Sequence, residues 1–115
     1  MTPKNIARAI CKYALDKNGL DIRIIDLRKV SDVADYFVVC TGSVDIHVKA
    51  IADNIVDRLK ERGVRVWHKE GYQALNWVLL DYVSVVVHVF RPEVRDRYAL
   101  EKLWGDAPIE VVESD

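Results

Sequence analysis

Two small residues, Gly42 and Ser43, separate a strand-like segment from a helix-like segment. A helix that begins at this point offers free backbone N–H groups and the positive end of its dipole, which together can bind a phosphate group. The pair is accompanied by no GxGxxG pattern and no Walker lysine. Because a strand-to-helix junction needs a small residue and a capping side chain in any case, we favour a structural role and keep nucleotide binding as the alternative.

A nucleotidyltransferase would need a second feature, since its following strand presents two carboxylates, one residue apart, to hold Mg²⁺. The strands that follow the Gly42-Ser43 pair offer only Asp81, with Leu79 and Val83 at the alternate positions. A single carboxylate does not complete such a site. The sequence therefore predicts no metal, no other cofactor and no metal-dependent catalysis.

The three histidines, His47, His68 and His88, show no HxH or HxxxH spacing and have no cysteine close by in the sequence. His88 is the most interesting of them, because Asp81 can lie diagonally across a hairpin on the same face. An acid beside a histidine, without a nucleophile, is more often a structural or interface pair than a catalytic one. We therefore expect no catalytic residue.

Asp81 and His88 lie in residues 75–90, an almost unbroken apolar run. This run predicts two β-strands with a break at residues 82–84. If residues 83 and 84 form a two-residue turn, one face of the pair is wholly apolar and belongs in the core, and it carries Val78, Leu80, Tyr82, Val85, Val87 and Val89. The opposite face carries Trp77, Leu79, Asp81, Val86, His88 and Phe90. The pattern leaves open whether a helix covers this second face or a partner binds it.

The other elements predict an α/β domain, a mixed β-sheet flanked by helices. Helical spacing covers residues 3–16, after the N-cap candidate Thr2, and a second stretch whose apolar stripe runs from Val48 to Leu59 and which Gly63 ends. Strands are expected at residues 21–27 and 35–41, a short edge strand within 64–68, and a short helix within 93–104, with Trp104 packing against the sheet. The acidic residues 105–115 are expected to form a loosely ordered tail.

Length and charge restrict the class of protein. The 115 residues fit one domain, and half of them are hydrophobic, which is enough for a core without disulfides. Lysine and arginine number 17 against 18 acids, and this balance argues against binding nucleic acid chiefly by neutralising phosphates. Cys11 and Cys40 lack CxxC spacing and are expected to be buried thiols in a reducing compartment. No signal peptide or membrane-spanning window is evident, so we expect a cytoplasmic protein.

Seven collinear segments together resemble the ribosomal silencing factor family, RsfS or Iojap. They are ADYFVV at residues 34–39, TGS at 41–43 followed by His47, AIAD at 50–53, EG at 70–71, WVLLDY at 77–82, VVHVF at 86–90 and LEKLW at 100–104. The resemblance implies a nucleotidyltransferase-like fold without catalytic carboxylates, in a protein that is not an enzyme. It also implies binding to the large ribosomal subunit through ribosomal protein L-fourteen and a steric block of subunit joining in starvation or stationary phase. Organelle members act in large-subunit assembly.

The resemblance also suggests which residues bind the ribosomal protein. Trp77, Leu79 and His88 would be central contacts, ringed by the polar groups of Asp81, Tyr98 and Glu101. A homodimer is a possible further partner, whereas a membrane and a specific nucleic acid sequence are not expected. The chain departs from the family at residues 83–84, where Val-Ser replaces the usual Gly-Asp. Since a β-branched residue disfavours a positive φ, we expect a longer or differently shaped turn here.

Overall fold

The computed structural model describes residues 1–113, which form a six-stranded mixed sheet with helices on both faces. In chain order the elements are α1 (Pro3–Leu15), β1 (Leu20–Asp26), β2 (Tyr36–Thr41), α2 (Asp45–Glu61), β3 (His68–Glu70), β4 (Trp77–Asp81), β5 (Val85–Phe90), α3 (Pro92–Tyr98), α4 (Leu100–Leu103) and β6 (Ile109–Val112). The strand order is β3-β4-β5-β2-β1-β6. Strands β2 and β5 are parallel and the other neighbours are antiparallel, so the mixed α/β sheet predicted from the sequence is confirmed.

Helices α1 and α2 cover one face of the sheet and form the larger part of the core with it. Thr2 caps α1, as its position predicts, because its hydroxyl accepts the N–H of Asn5 at 3.1 Å. The stripe predicted for α2 is also confirmed. Its members Val48, Ile51, Ala52, Ile55 and Leu59 are fully buried, and Val56 is partly buried against the same core. Gly63 follows α2 with a φ of +80°, a conformation that ends helices and that suits glycine.

The opposite face of the sheet carries a second, smaller core beneath α3 and α4. Its buried members include Ile25, Leu27, Phe37, Val39, Val86, Phe90, Leu100 and Ala107. Trp104 packs edge-on against Phe37, with ring centroids 5.1 Å apart, as expected for the last helix. Because helices lie on both sides, β2 and β5 are buried along their whole length.

The β4–β5 hairpin has the predicted pairing, with Trp77 opposite Phe90 and Asp81 opposite Val86. Of the two alternatives expected for the turn, the longer one is wrong, because the turn keeps two residues, with Val83 at a φ of +72°. The Ser84 N–H donates to the carbonyl of Tyr82 at 2.9 Å, and the Val83 N–H donates to the Asp81 carboxylate at 2.7 Å. These bonds hold a valine in a left-handed conformation that costs about 1–3 kcal/mol for such a residue.

Three predictions about element positions differ from the structure. The single short helix expected within residues 93–104 is two helices, α3 and α4, because Ala99 between them has a positive φ. Residues Ile109–Val112 of the expected loose tail form β6, which pairs with β1 at the edge of the sheet; Ser114 and Asp115 lie outside the described residues. The short edge strand lies at His68–Glu70 rather than within residues 64–68, because Val64 and Val66 pack against the core before the strand begins.

No helix within residues 1–113 is long and apolar enough to cross a membrane.

Replacing Val83 by glycine should raise the free energy of unfolding by about 1 kcal/mol, because glycine adopts a positive φ without strain while gaining some unfolded-state entropy. Val83 is 64% exposed, so the substitution removes little packing. Denaturant unfolding of the wild type and the variant measures the difference. Val33→Gly is the matched control, since Val33 is 68% exposed without a positive φ, and it should be destabilised. A Val83→Gly protein no more stable than wild type would show that the turn stores no strain.

Candidate functional site

The candidate site lies where the sheet face under α3 and α4 emerges from their cover, at β4. Trp77 and Leu79 are both partly buried there, next to the fully buried Phe90. The Trp77 ring lies 4.9 Å from the Phe90 ring and 4.8 Å from the ring of Tyr98, centroid to centroid. Tyr98 is half exposed, so the three residues Trp77, Leu79 and Tyr98 form a partly exposed apolar surface on a packed base. We call it the Trp77 surface.

His88 holds the Trp77 ring in place from below. The indole N–H of Trp77 donates to Nδ1 of His88 at 3.0 Å, and the imidazole ring lies 4.6 Å from the ring of Phe37. This bond requires an unprotonated Nδ1, so the imidazole is neutral with its proton on Nε2. Burial lowers the pKa of His88 to about 4, and Nε2 has no hydrogen-bond partner within residues 1–113 that would stabilise the charged form.

The expectation that His88 is a central contact needs correction. Only 4% of His88 is exposed, because α3, α4 and the neighbouring aromatic rings cover β5. The residue therefore cannot contribute appreciable contact area to a partner. Its role in the site is to orient Trp77.

Asp81 and His88, which the sequence places on one face, do not form a pair. Asp81 lies opposite Val86 and His88 opposite Leu79, so the two are diagonal neighbours as expected. However, Nδ1 of His88 accepts the Trp77 N–H, and its Nε2 has no partner within residues 1–113. The Asp81 carboxylate instead accepts the backbone N–H of Val83 and fixes the hairpin turn. The site thus contains neither an acid–base pair nor a second carboxylate next to Asp81 on β4.

Glu101, expected on the rim of the surface, is partly exposed and also has a structural role. Its side chain is 20% exposed, and its Oε1 atom lies 3.4 Å from Nη2 of Arg95. Arg95 is itself buried, and its Nη1 donates to the Asp21 carbonyl at 2.6 Å and to the Thr41 hydroxyl at 2.9 Å. The guanidinium therefore joins α3 and α4 to the ends of β1 and β2.

Arg95 lies close to the break between α3 and α4, where the chain changes direction. Ala99, between α3 and α4, has a φ of +44°, and its N–H donates to the carbonyl of Arg95 at 2.8 Å. This break places Tyr98 over Trp77 while Leu100 enters the core. Sequence reasoning missed Arg95, since nothing in the pattern distinguishes it from the exposed Arg97 two residues later.

The Gly42-Ser43 loop uses its backbone donors internally. The N–H of Gly42 donates to the carbonyl of Phe90 at 2.8 Å, and the N–H of Ser43 donates to Nδ1 of His47 at 2.9 Å. Nε2 of His47 in turn donates to the carbonyl of Lys17 at 2.7 Å. A Cβ atom at position 42 would lie 2.8 Å from Val48, so close packing requires the glycine. These contacts support the structural interpretation of the loop.

The remaining candidate ligands are dispersed or buried. Within residues 1–113 no three His, Cys, Asp or Glu side chains are grouped so as to hold a metal ion. Cys11 and Cys40 are buried free thiols, as predicted, and burial raises the pKa of each to about 12. Neither thiol is therefore a reactive nucleophile at neutral pH.

Comparison with known proteins gives one consistent result. The sequence model of the family described as "Ribosomal silencing factor during starvation" matches residues 1–115. The chain is 45% identical over 109 residues to "Ribosomal silencing factor RsfS" of Bacillus subtilis, covering 95% of this chain and 92% of the relative. It is 35% identical to "Mitochondrial assembly of ribosomal large subunit protein 1" of mouse, covering 76% of this chain and 40% of that protein.

A crystal structure of a Chromobacterium violaceum protein agrees with the fold. It superimposes with a TM-score of 0.89 at 35% sequence identity, covering 99% of this chain and 95% of the other. The likeness to nucleotidyltransferases, which the sequence suggested, stays a prediction.

The lowered pKa of His88 predicts how stability depends on pH. Between about pH 6.5 and pH 4 the unfolded chain binds a proton at His88 that the folded chain does not, so the free energy of unfolding falls as the pH falls. The contribution lost is about 3 kcal/mol. In His88→Asn the amide oxygen can still accept the Trp77 N–H but does not titrate, so denaturant unfolding across this range should show a shallower slope. Equal slopes for the wild type and His88→Asn would contradict the assignment.

The buried guanidinium predicts a large difference between two neighbouring arginines. Arg95→Ala leaves the Glu101 carboxylate buried without its counter-charge and should cost about 3 kcal/mol of unfolding free energy. Arg97→Ala, at an exposed position of the same helix, should cost less than about 0.5 kcal/mol. Denaturant unfolding followed by tryptophan fluorescence measures both. Similar values for the two variants would show that Arg95 does not anchor α3 and α4.

Proposed function

The chain belongs to the ribosomal silencing factor family, and we propose on that premise that it docks on the large ribosomal subunit and blocks the joining of the small subunit. Membership of the family supports ribosome-associated repression of translation. The name of the mouse relative, which refers to assembly of the ribosomal large subunit, supports the large subunit as the partner. The finer part of the proposal is that ribosomal protein L-fourteen receives the contact, in the cytoplasm, during starvation or stationary phase.

The observation that carries the proposal is the partly exposed Trp77 ring fixed between His88, Phe90 and Tyr98. Tryptophan and tyrosine contribute most to binding when a partner covers them and water is excluded. A ring already held in one orientation loses little conformational entropy on binding, so more of the contact energy appears as affinity. Leu79 extends the apolar area along β4.

The predicted binding residues then divide into two groups by burial. Trp77, Leu79, Tyr98 and Asp81 are exposed at least in part and can contact the ribosomal protein. Glu101 is partly exposed as well, with its Oε1 next to Arg95, whereas the buried His88 acts from within by orienting Trp77. A homodimer that uses the same surface stays a prediction.

The proposed mechanism needs no chemistry and depends only on the size of the domain. The described residues extend 35 × 34 × 30 Å. A rigid body of this thickness, bound at a surface that faces the small subunit, separates the two subunits by more than any side-chain contact can span. We therefore propose a non-enzymatic repressor.

Trp77→Ala should weaken binding to purified large subunits by at least about 30-fold, the effect of losing a central interface tryptophan. Co-sedimentation of the labelled protein with large subunits through sucrose measures this affinity. Because Trp77 also packs against Phe90, the folded state of the variant is checked by circular dichroism. Tyr98→Ala, at a half-exposed position, gives a second variant with less risk to the fold.

Ile46→Ala is the matched control, since Ile46 is 75% exposed at the start of α2, on the opposite face of the sheet. It should bind as the wild type does. Adding small subunits to the same gradients tests the block itself, since wild-type protein should lower the yield of joined ribosomes and Trp77→Ala should not. Undiminished binding by folded Trp77→Ala and Tyr98→Ala would exclude the Trp77 surface as the docking site.

A further inference from the structure

All the charged side chains of helix α1 are positive. Its charged residues are Lys4, Arg8 and Lys12, and no aspartate or glutamate occurs within Pro3–Leu15. Spaced four residues apart, the three cations lie on one side of the helix and rise by about 6 Å from each to the next. All three are exposed, whereas Ile6, Ile10 and Tyr13 of the same helix are buried. The stripe is thus the outer face of α1, away from the sheet.

Two hollows flank this stripe, and cations line each of them. On the side of β1 and β6, a hollow of about 170 Å³ is bordered by Lys4, Arg8 and Arg28, together with the acids Asp26 and Glu110. On the side of α2, a hollow of about 320 Å³ is bordered by Arg8, Lys12 and Arg62. Arg62 is held towards α1 by a bond from its Nη1 to the hydroxyl of Tyr13 at 3.2 Å. The side chain of Arg8 therefore lies between a hollow in which three cations outnumber two acids and a hollow lined by cations without an acid.

Few acids oppose these cations. Glu110 lies 3.6 Å from Arg8, but both side chains are 53% exposed, and exposed pairs of this kind contribute little. Asp26 is engaged by Arg28 at 2.7 Å. The whole chain has a net charge of −1, so the positive charge of this face is a local concentration rather than a reflection of composition.

We propose that this basic face, formed by Lys4, Arg8, Lys12 and Arg62, binds the phosphate backbone of ribosomal RNA on the side of the domain opposite the docking surface. The biological setting rests on the proposed docking to the large subunit, which is the RNA-rich partner that the family name implies. A row of cations beside hollows of this size suits successive phosphates of one strand, and such contacts carry no base specificity. The face lies across the sheet from the Trp77 surface, so the two can be occupied at the same time.

The test compares two arginine–lysine pairs that have the same spacing in the sequence. Arg8→Gln/Lys12→Gln removes two charges from the basic face, and Arg65→Gln/Lys69→Gln removes an exposed arginine and lysine, also four residues apart, before and within β3. The probe is a fluorescein-labelled 16-base-pair RNA duplex, and anisotropy gives Kd at several salt concentrations. The first variant should bind at least tenfold more weakly at about 50 mM KCl, and the slope of log K against log salt should fall by about two. The second variant should match the wild type.

A variant of opposite sign makes the test stricter. Glu110→Gln removes the acid next to Arg8 and should tighten RNA binding. Equal Kd values for wild type and Arg8→Gln/Lys12→Gln would overturn the proposal. So would binding of this face to vesicles of equal parts phosphatidylcholine and phosphatidylglycerol without binding to the duplex, because the partner would then be a membrane surface.

The RNA face and the docking surface can fail separately. Trp77→Ala should bind the duplex as the wild type does, because the substitution lies on the other face of the sheet. Wild-type protein that binds the duplex but not large subunits would contradict the proposed docking and support the RNA face. Protein that binds large subunits but shows no salt-dependent affinity for the duplex would contradict the RNA face alone.

Discussion

The parallel pairing of β2 with β5 is the constraint on which the rest of the structure depends. It runs from Tyr36 opposite Val85 to Thr41 opposite Phe90, and every residue of both strands is buried. A strand pair buried on both faces needs helices on both faces. Helices α1 and α2 meet this need on one side. The short α3 and α4 meet it on the other, but they are too small to cover the sheet as far as β4. The Trp77 surface is what this incomplete cover leaves exposed.

Incomplete cover also explains which features could be predicted from the sequence. The periods of α1, α2 and the hairpin are local, and so is the alternation that assigns Val78 and Trp77 to opposite faces; all of these were predicted correctly. The burial of His88 was not, because one face of the hairpin is covered at β5 and uncovered at β4. A linear pattern assigns residues to a face and does not report how far a distant helix extends over it.

The missed features share a second physical cause, which is that their partners are remote in the sequence. In the sequence Arg95 looks like Arg97, and only the fold brings Asp21 and Thr41 next to it. In the same way, Ile109–Val112 forms a strand only because it can pair with the edge strand β1. The left-handed Val83 is a further case of tertiary structure overriding local preference. The pairing of β4 with β5 and the hydrogen bond from the Val83 N–H to the Asp81 carboxylate determine the turn. Val83 therefore keeps an unfavourable positive φ.

The sheet determines how the two proposed surfaces combine. Its thickness and the helices on it separate the Trp77 surface from the basic face of α1, so the two share no side chain and no hydrogen bond. Substitutions at sites so far apart have nearly additive effects. Once the Trp77 surface is bound, however, the basic face is held close to neighbouring RNA, and its weak, salt-dependent contacts become intramolecular. A protein with a net charge of −1 can thus gain affinity from phosphates on the ribosome although its affinity for free RNA is weaker and falls with salt.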